Sequence, residues 1–312
     1  MGPVTSKNAY YVKLGRKGIW EDSSIKASII RIGWCKQTLD DINNGRWDQI
    51  QTQLEDEARS RGAGKGEATT DCHALRMLCE STGDDIWMTF YKSHLWWCKV
   101  IDPGPDIRED GTSKYRKVAG WRKEDIFGGA LLTAQLPGRI AKVQRFSGTI
   151  CRVREVDELR RLINREPSPE HTAIMHLKDG LCRRVEDGLR RLHWKDFETL
   201  VDLVFRASGW RRVSLVGETM KFSDIELEEP ITGEAYQVQV KSAATSRDLQ
   251  DYADTFAGGK YRRLFFVVHT PDKTLADISQ PHDSPVQLVL PGRLAEMVVE
   301  LGLLNWLLNK IR

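Results

Sequence analysis

The sequence predicts an α/β (α+β) protein of two domains, and three observations predict it. Apolar runs of strand length alternate along the chain with segments whose apolar residues recur at helical spacing. The 312 residues are 40% apolar and include ten tryptophans, enough to fill two cores. The texture also changes near Val156, where strands and glycine turns give way to a charged helix and a proline-containing connection, "DELRRLINREPSPEH". The expected division is a first domain at 1–155, a linker at 156–170 and a second domain at 171–312.

In the first domain, "AYYVKL" reads as a strand, and "ASIIRIGW" is a second apolar run ending at Trp34. "WDQIQTQLEDEARSRG" is helical and stops at the cluster Gly62, Gly64 and Gly66. "ATTDCHALRMLCEST" is another helix, with Ala74, Leu75, Leu78 and Cys79 on one face. Ile86, Met88 and Phe90 alternate, as do Leu95 and Trp97, so two strands follow the turn "GDD". "DPGPDIREDG" is a loop, and "YRKVAGW" and "GTICRVRE" are further strands.

In the second domain, Phe197, Leu200, Val201 and Val204 fall at helical spacing, and Gly209 ends that helix. "RRVSLVGE" reads as a strand. "FSDIELEE" and "YQVQVKS" are two more, joined by the turn "PITGEA". A helix, "TSRDLQDYADTFAGG", leads to "RRLFFVVHT", a run apolar enough to be buried on both faces. A short strand, "PVQLVL", and one closing helix, "RLAEMVVELGLLNWLLNKI", complete the chain.

Composition excludes some classes. The six cysteines form no C-x-x-C pair, which predicts reduced thiols rather than a zinc site or a disulfide framework. No run is long enough to span a membrane, and the first residues lack the apolar core of a signal peptide. A soluble cytoplasmic protein is expected. "GAGKGE" lacks P-loop spacing, so no ATP requirement is expected. A net charge of +3 does not by itself name a nucleic-acid partner.

The stretch "YQVQVKS" carries chemistry. Ile225 and Leu227 must share a face with Val238 and Val240, which predicts pairing of 225 with 240 and of 227 with 238. That register sets Asp224 opposite Lys241 and Glu226 opposite Gln239. One reading is an exposed ion pair worth about 0.5 kcal/mol. The other is a carboxylate site for a hard divalent cation, with a lysine beside it to orient water or steady developing charge.

The order of motifs resembles the PD-(D/E)xK nuclease superfamily, and more closely its Mrr-type restriction endonuclease domain. The helix-to-strand passage "DFETLVDLVFRASGWRRV", the Asp of "SDIEL" and the Gln-x-Lys of Gln239 and Lys241 carry the likeness over roughly residues 190–305. The glycine-rich run common before the Asp is replaced by "GETMKFSD". The resemblance implies a mixed central sheet flanked by helices and Mg²⁺-dependent DNA hydrolysis. It assigns Asp224 as metal ligand and Lys241 as catalytic lysine. Gln239 would orient water or lend its amide oxygen. Glu198 would be a metal ligand or a carboxylate just behind one. Glu226 is a rival for the metal position.

The first domain is tryptophan-rich. Trp20 sits in a polar, glycine-flanked stretch, and Trp96 and Trp97 fall on opposite faces of one strand. Tryptophans commonly fill cores, yet an extruded base is held between aromatic faces. The pattern "YYVKLGRKGIWEDS", "IIRIGW" and "GDDIWMTFYKSHLWWCKV" resembles PUA-like readers of altered bases, the EVE and YTH domains, over residues 8–150. That resemblance implies a compact β-barrel with helices, and pocket walls drawn from Trp20, Trp34 and Trp96. Arg139, Lys142 and Arg145 are candidates for DNA-backbone contact. The combined expectation is a modification-dependent DNA endonuclease, acting on double-stranded DNA as a homodimer to restrict foreign DNA in a prokaryote. The alternatives are a nuclease for an unmodified sequence, an inert nucleic-acid binding module, or an RNA-directed reader.

Overall fold

The computed structural model describes residues 2–101, 107–213, 224–256, 260–281 and 283–312. The chain divides into two compact units, Met1–Pro169 and Glu170–Arg312.

In the first unit, β1 is Ala9–Val12, helix α1 is Glu21–Ala27 and β2 is Ile29–Ile32. Helices α2 (Leu39–Asn43), α3 (Trp47–Ser60) and α4 (Lys65–Glu80) follow. Then come β3 (Ile86–Tyr91), β4 (His94–Cys98), β5 (Ile107–Glu109) and β6 (Lys114–Lys117). Helix α5 (Gly138–Ala141), β7 (Ile150–Arg152) and helix α6 (Val156–Asn164) close the unit. β1 pairs in parallel with β3 and antiparallel with β7, giving the sheet order β4-β3-β1-β7. The two-residue turn between β3 and β4 sets both Lys92 and Ser93 at positive φ, 46° and 60°, the conformation that matches strand twist in a tight hairpin. The second sheet runs β2-β6-β5.

β3 is buried on both faces, and its side chains alternate between two clusters. Trp87 joins Val12, Ile30, Ile32 and the apolar sides of α3 and α4, while Ile86 and Met88 pack with Leu159 and Ile163 of α6. The charged stretch after Val156 thus begins as a helix whose apolar side is buried in this unit.

The β-barrel expected here does not close among the described residues. The two sheets meet through isolated bridges such as Val100 with Val118. Closure needs a continuous staggered ladder. These strands are three to six residues long, and the α3–α4 pair fills the core beside them.

In the second unit, helices α7 (Pro169–Leu189) and α8 (Trp194–Ala207) precede β8 (Arg211–Arg212), β9 (Ile225–Glu228) and β10 (Ala235–Ala244). Helix α9 (Ser246–Thr255), β11 (Tyr261–Pro271), helix α10 (Lys273–Ala276), β12 (Val286–Val289) and helices α11 (Pro291–Glu300) and α12 (Leu304–Lys310) follow. The sheet is mixed, in the order β12-β11-β10-β9-β8, with β10, β11 and β12 parallel. Phe197, Leu200, Val201 and Val204 of α8 cover one face with Ile225, Leu227 and Val238. Leu249 of α9 covers the other with Leu264, Phe266 and Val268. The strand read at "RRVSLVGE" is described only at Arg211 and Arg212, and residues 214–218 lie outside the described residues.

Two expectations are corrected. The closing helix is two helices, because Gly302 takes φ 72° between α11 and α12 and ends the first. The hairpin register differs by two residues: Val238 pairs with Ile225 and Tyr236 with Leu227. A two-residue slip keeps every side chain on its face, so apolar alternation cannot distinguish the registers and the turn decides. Glu229 accepts the Ile231 and Thr232 amides at 3.0 and 2.6 Å, and its own amide donates to Glu234 at 2.9 Å, closing a tight loop at 229–234.

Among the described residues, no helix is long and apolar enough to cross a membrane.

Candidate active site and cavity

The observed register sets Asp224 against Gln239 rather than Lys241. The Asp224 amide donates to the Val238 carbonyl at 3.0 Å. Its carboxylate then turns back on the partner strand. Oδ2 receives Gln239 Nε2 at 2.6 Å and the Val240 amide at 2.7 Å. Since the Gln239 amide nitrogen faces the carboxylate, its oxygen is directed elsewhere. Gln239 is 5% exposed, so both side chains are held in one arrangement. Burial pushes the Asp224 carboxyl above its ordinary range, and the Val240 amide, the Lys241 charge and the Gln239 amide pull it partly back.

Lys241 is the next residue on the same face of β10. Its ammonium lies 5.4 Å from the Tyr252 ring of α9. It acts electrostatically on Asp224 and on Asp248, which forms the capping box of α9 with Thr245. The lysine is therefore positioned between the Asp224 carboxylate and a well-anchored helix start.

Glu198 comes from α8, beside the fully buried Phe197. Burial raises its pKa, the Asp224 charge raises it further, and Arg212 lowers it. The two carboxylates thus feel each other across the site. Arg212 is held by Asp202 at 3.3 Å, which ties β8 to α8. Glu226, the rival, is engaged: Tyr261 donates to it and Lys260 lies 3.6 Å away.

Among the described residues, no three His, Cys, Asp or Glu side chains converge as a metal cluster. The oxygen donors here are two carboxylates and one amide. A hard divalent cation that keeps several of its waters is held by one or two carboxylates, so this donor set fits such an ion. Such an ion would also supply the counter-charge that the raised carboxyls lack.

The first unit contains a cavity of about 680 Å³ lined by Tyr11, Trp20, Glu21, Ile32, Trp34 and Phe90 among others. Trp34 has φ 59°. For a bulky aromatic residue this left-handed conformation is strained, and such strain is characteristic of functional sites. Burial raises the Asp71 carboxyl, and the Trp34 indole N–H is the partner that pulls it back down. The Trp20 ring packs on Gly15, where a Cβ would come within 3.0 Å of it and where φ is 83°. Lys13 donates to the Phe146 carbonyl at 2.9 Å and fixes the loop on the far wall.

Trp20 and Trp34 come together at this cavity, whereas Trp96 is not among its lining residues. Trp96 donates to the Tyr91 carbonyl at 3.1 Å and packs on the core. Arg139, Lys142 and Arg145 recur every third residue on consecutive short helical turns and are exposed. Lys142 is paired with Glu155 at 3.0 Å. This basic segment runs directly into Ser147, Gly148 and Thr149 of the cavity wall, and Arg16 and Lys17, which also line the cavity, are exposed. Sequence reading missed Tyr11, Glu21, Asp71 and Tyr252. Only Tyr252 carried a usable signal, its place in α9 after the Thr245–Asp248 capping pattern.

No curated protein matches the chain. Residues 189–298 match the Mrr_cat family model, described as restriction endonuclease, which supports a restriction-type endonuclease domain in the C-terminal unit, with DNA as the substrate such a domain implies.

Proposed function

We propose that the chain is a modification-dependent DNA endonuclease. Its first unit receives an altered base from double-stranded DNA, and its second hydrolyses a phosphodiester with Mg²⁺. The observation that carries the reading is the aromatic cavity at Trp20 and Trp34, with the latter's backbone strained and its indole facing a half-buried carboxylate. Extruded bases are held in such pockets. The exposed cations around it suit phosphates, which position DNA without reading its sequence.

In the second unit, Asp224, Gln239 and Glu198 would hold Mg²⁺, which when bound supplies Lewis-acid charge to a phosphoryl oxygen and lowers the pKa of water. Lys241 orients the attacking water and offsets charge growing on the phosphoryl oxygens. The water oxygen bonds to phosphorus and loses a proton to solvent. The bond to one flanking sugar oxygen breaks, and that oxygen regains a proton. Gln239 keeps Asp224 in place through its amide. Cutting both strands takes two such sites, which a homodimer supplies. The biological role is restriction of foreign DNA.

The test is a cleavage panel. Purified chain and Mg²⁺ are mixed with duplexes identical except for unmodified, N6-methyladenine, 5-methylcytosine, 5-hydroxymethylcytosine or glucosylated bases. Cutting of one modified class, lost in Asp224→Ala, supports the reading. Cutting of every duplex at one sequence keeps the nuclease and removes the modified-base reader. Binding without cutting in any divalent metal makes the chain an inert binding module.

A further inference from the structure

We propose that Tyr11 and Glu21 form the hydrogen-bonding floor of the cavity and select an amino-bearing base, one derived from adenine or cytosine. The inference rests on the base-cavity reading above and deepens it.

Tyr11 lines the cavity and is 4% exposed. Among the described residues its hydroxyl makes no hydrogen bond, although buried tyrosine hydroxyls usually find one. Glu21 lines the same cavity and is half-buried, and its carboxylate likewise has no hydrogen bond or ion pair among the described residues. Its position is confined: a Cβ on Gly18 would lie 2.5 Å from its Oε1. The two groups are close enough for the Glu21 charge to act on the phenol. Two other polar groups near the aromatic walls are already engaged. Lys13 holds the Phe146 and Ser147 carbonyls at 2.9 and 3.4 Å, and the Trp34 indole faces Asp71. A buried polar group without a partner costs stability, so an uncommitted pair on a cavity floor points to a ligand that completes it.

The chemistry of the pair limits that ligand. Burial, Cys151 and Glu21 together push the Tyr11 phenol up to about 12, so it stays protonated and donates. Burial raises the Glu21 carboxyl, and in its ionised form that carboxylate only accepts. The complementary edge sets an N–H donor beside a lone pair. The exocyclic amine and adjacent ring nitrogen of adenine or cytosine provide this. Thymine and uracil carry an oxygen where the amine stands. With the ring clamped between aromatic walls and its orientation fixed by the strand, that oxygen would face the Glu21 carboxylate and be repelled.

The experiment measures binding of the full chain, without divalent metal, to four modified duplexes and the unmodified one. Two carry N6-methyladenine or 5-hydroxymethylcytosine. Their counterparts, N6,N6-dimethyladenine and 5-hydroxymethyluracil, lack the N–H or the amine. The quantity read is affinity relative to the unmodified duplex. One amino-bearing duplex should be preferred about tenfold over its counterpart. Tyr11→Phe, which keeps the ring, and Glu21→Gln should each erase most of that preference. Thermal midpoints of both variants confirm folding. A preference that survives both substitutions, or a counterpart bound equally well, overturns the inference and leaves the base cavity standing. If no modified duplex is preferred over the unmodified one, the cavity reading itself fails and the inference falls with it.

Discussion

Gln239 Nε2 donates to Asp224 Oδ2 at 2.6 Å, joining β10 to the residue that immediately precedes its neighbour β9. Glutamine at this position gives the aspartate a donor as well as a second oxygen nearby. The amide therefore stabilises the charged form of a carboxylate whose pKa burial raises.

Gln239→Glu reverses the donor into an acceptor. Without divalent metal the variant loses the hydrogen bond and sets two carboxyls against each other, which should lower stability by about 1–3 kcal/mol. With Mg²⁺ both oxygens become ligands, so the rise in thermal midpoint on adding metal should exceed that of the native chain. Equal midpoints for the two proteins in chelator would show that the amide does not hold Asp224.

Glu198 gives a second metal-linked prediction. Its folded pKa is raised by burial and by Asp224. Between its unfolded value, about 4.3, and the higher folded one, the folded chain binds more protons. Stability therefore falls as pH rises through that window. In metal-free protein at pH 7.5, Glu198→Gln should unfold at a higher temperature than the native chain. It should also show a smaller shift with Mg²⁺. A metal shift equal to the native one would remove Glu198 from the site.

Lys241→Ala should leave DNA binding within a few-fold of native and reduce single-turnover cleavage about 100-fold or more, as removal of a charge-stabilising donor does. Loss of binding in parallel with loss of cleavage would make the lysine a DNA contact instead.

The site was legible in part, and the division is physical. The apolar spacing of α8 and the doubly buried run of β11 are local signals set within a few residues, and the structure carries both. The register of β9 on β10 was not legible, since a two-residue slip preserves both faces and only the hydrogen bonds of Glu229 choose between them. Trp20 follows Ile19 in a polar stretch and Trp96 lies between Leu95 and Trp97, but neither neighbourhood shows which ring will line a cavity. What separates them is tertiary: Gly15 backs one ring, while the Tyr91 carbonyl holds the other. Asp71 facing Trp34 and Arg116 reaching Leu78 join residues far apart in sequence, so neither spacing nor composition shows them.

Arg116 shows how much such a long-range contact holds. It is 2% exposed on β6, and Nη1 donates to the Leu78 and Ser81 carbonyls at 2.7 and 2.6 Å, carbonyls that the end of α4 leaves without helical partners. Arg116→Leu removes the charge, strips the Ser81 carbonyl of the guanidinium and leaves the Leu78 carbonyl with Ser81 Oγ at 3.1 Å. The expected loss is about 3 kcal/mol, measured by urea denaturation. A loss under about 0.5 kcal/mol, the size of an ordinary surface change, would mean that α4 finds other caps.

His269 provides the last prediction, a pH dependence seated in the second unit. The ring is 5% exposed, packs edge-on against Phe197 with centroids 4.4 Å apart, and sets Nδ1 2.8 Å from Thr270 Oγ1. Nε2 has no hydrogen-bond partner among the described residues. A protonated imidazole must donate from both nitrogens, and here one donor would be stranded. Burial, assisted by the charge of Arg190, accordingly lowers the pKa from 6.5. Above the unfolded value the ring is neutral in both states and contributes no slope. As pH falls through it, the unfolded chain takes up a proton that the folded chain refuses. Stability then drops by up to about 1.4 kcal/mol per pH unit until the lower folded pKa is reached. The chain carries six other histidines, so the measurement is the difference between the native chain and His269→Gln in urea at pH 8, 7, 6 and 5. That difference should be flat from pH 8 to 7 and then shift steadily against the native chain. A difference that stays constant down to pH 5 would mean that the ring accepts its proton in place.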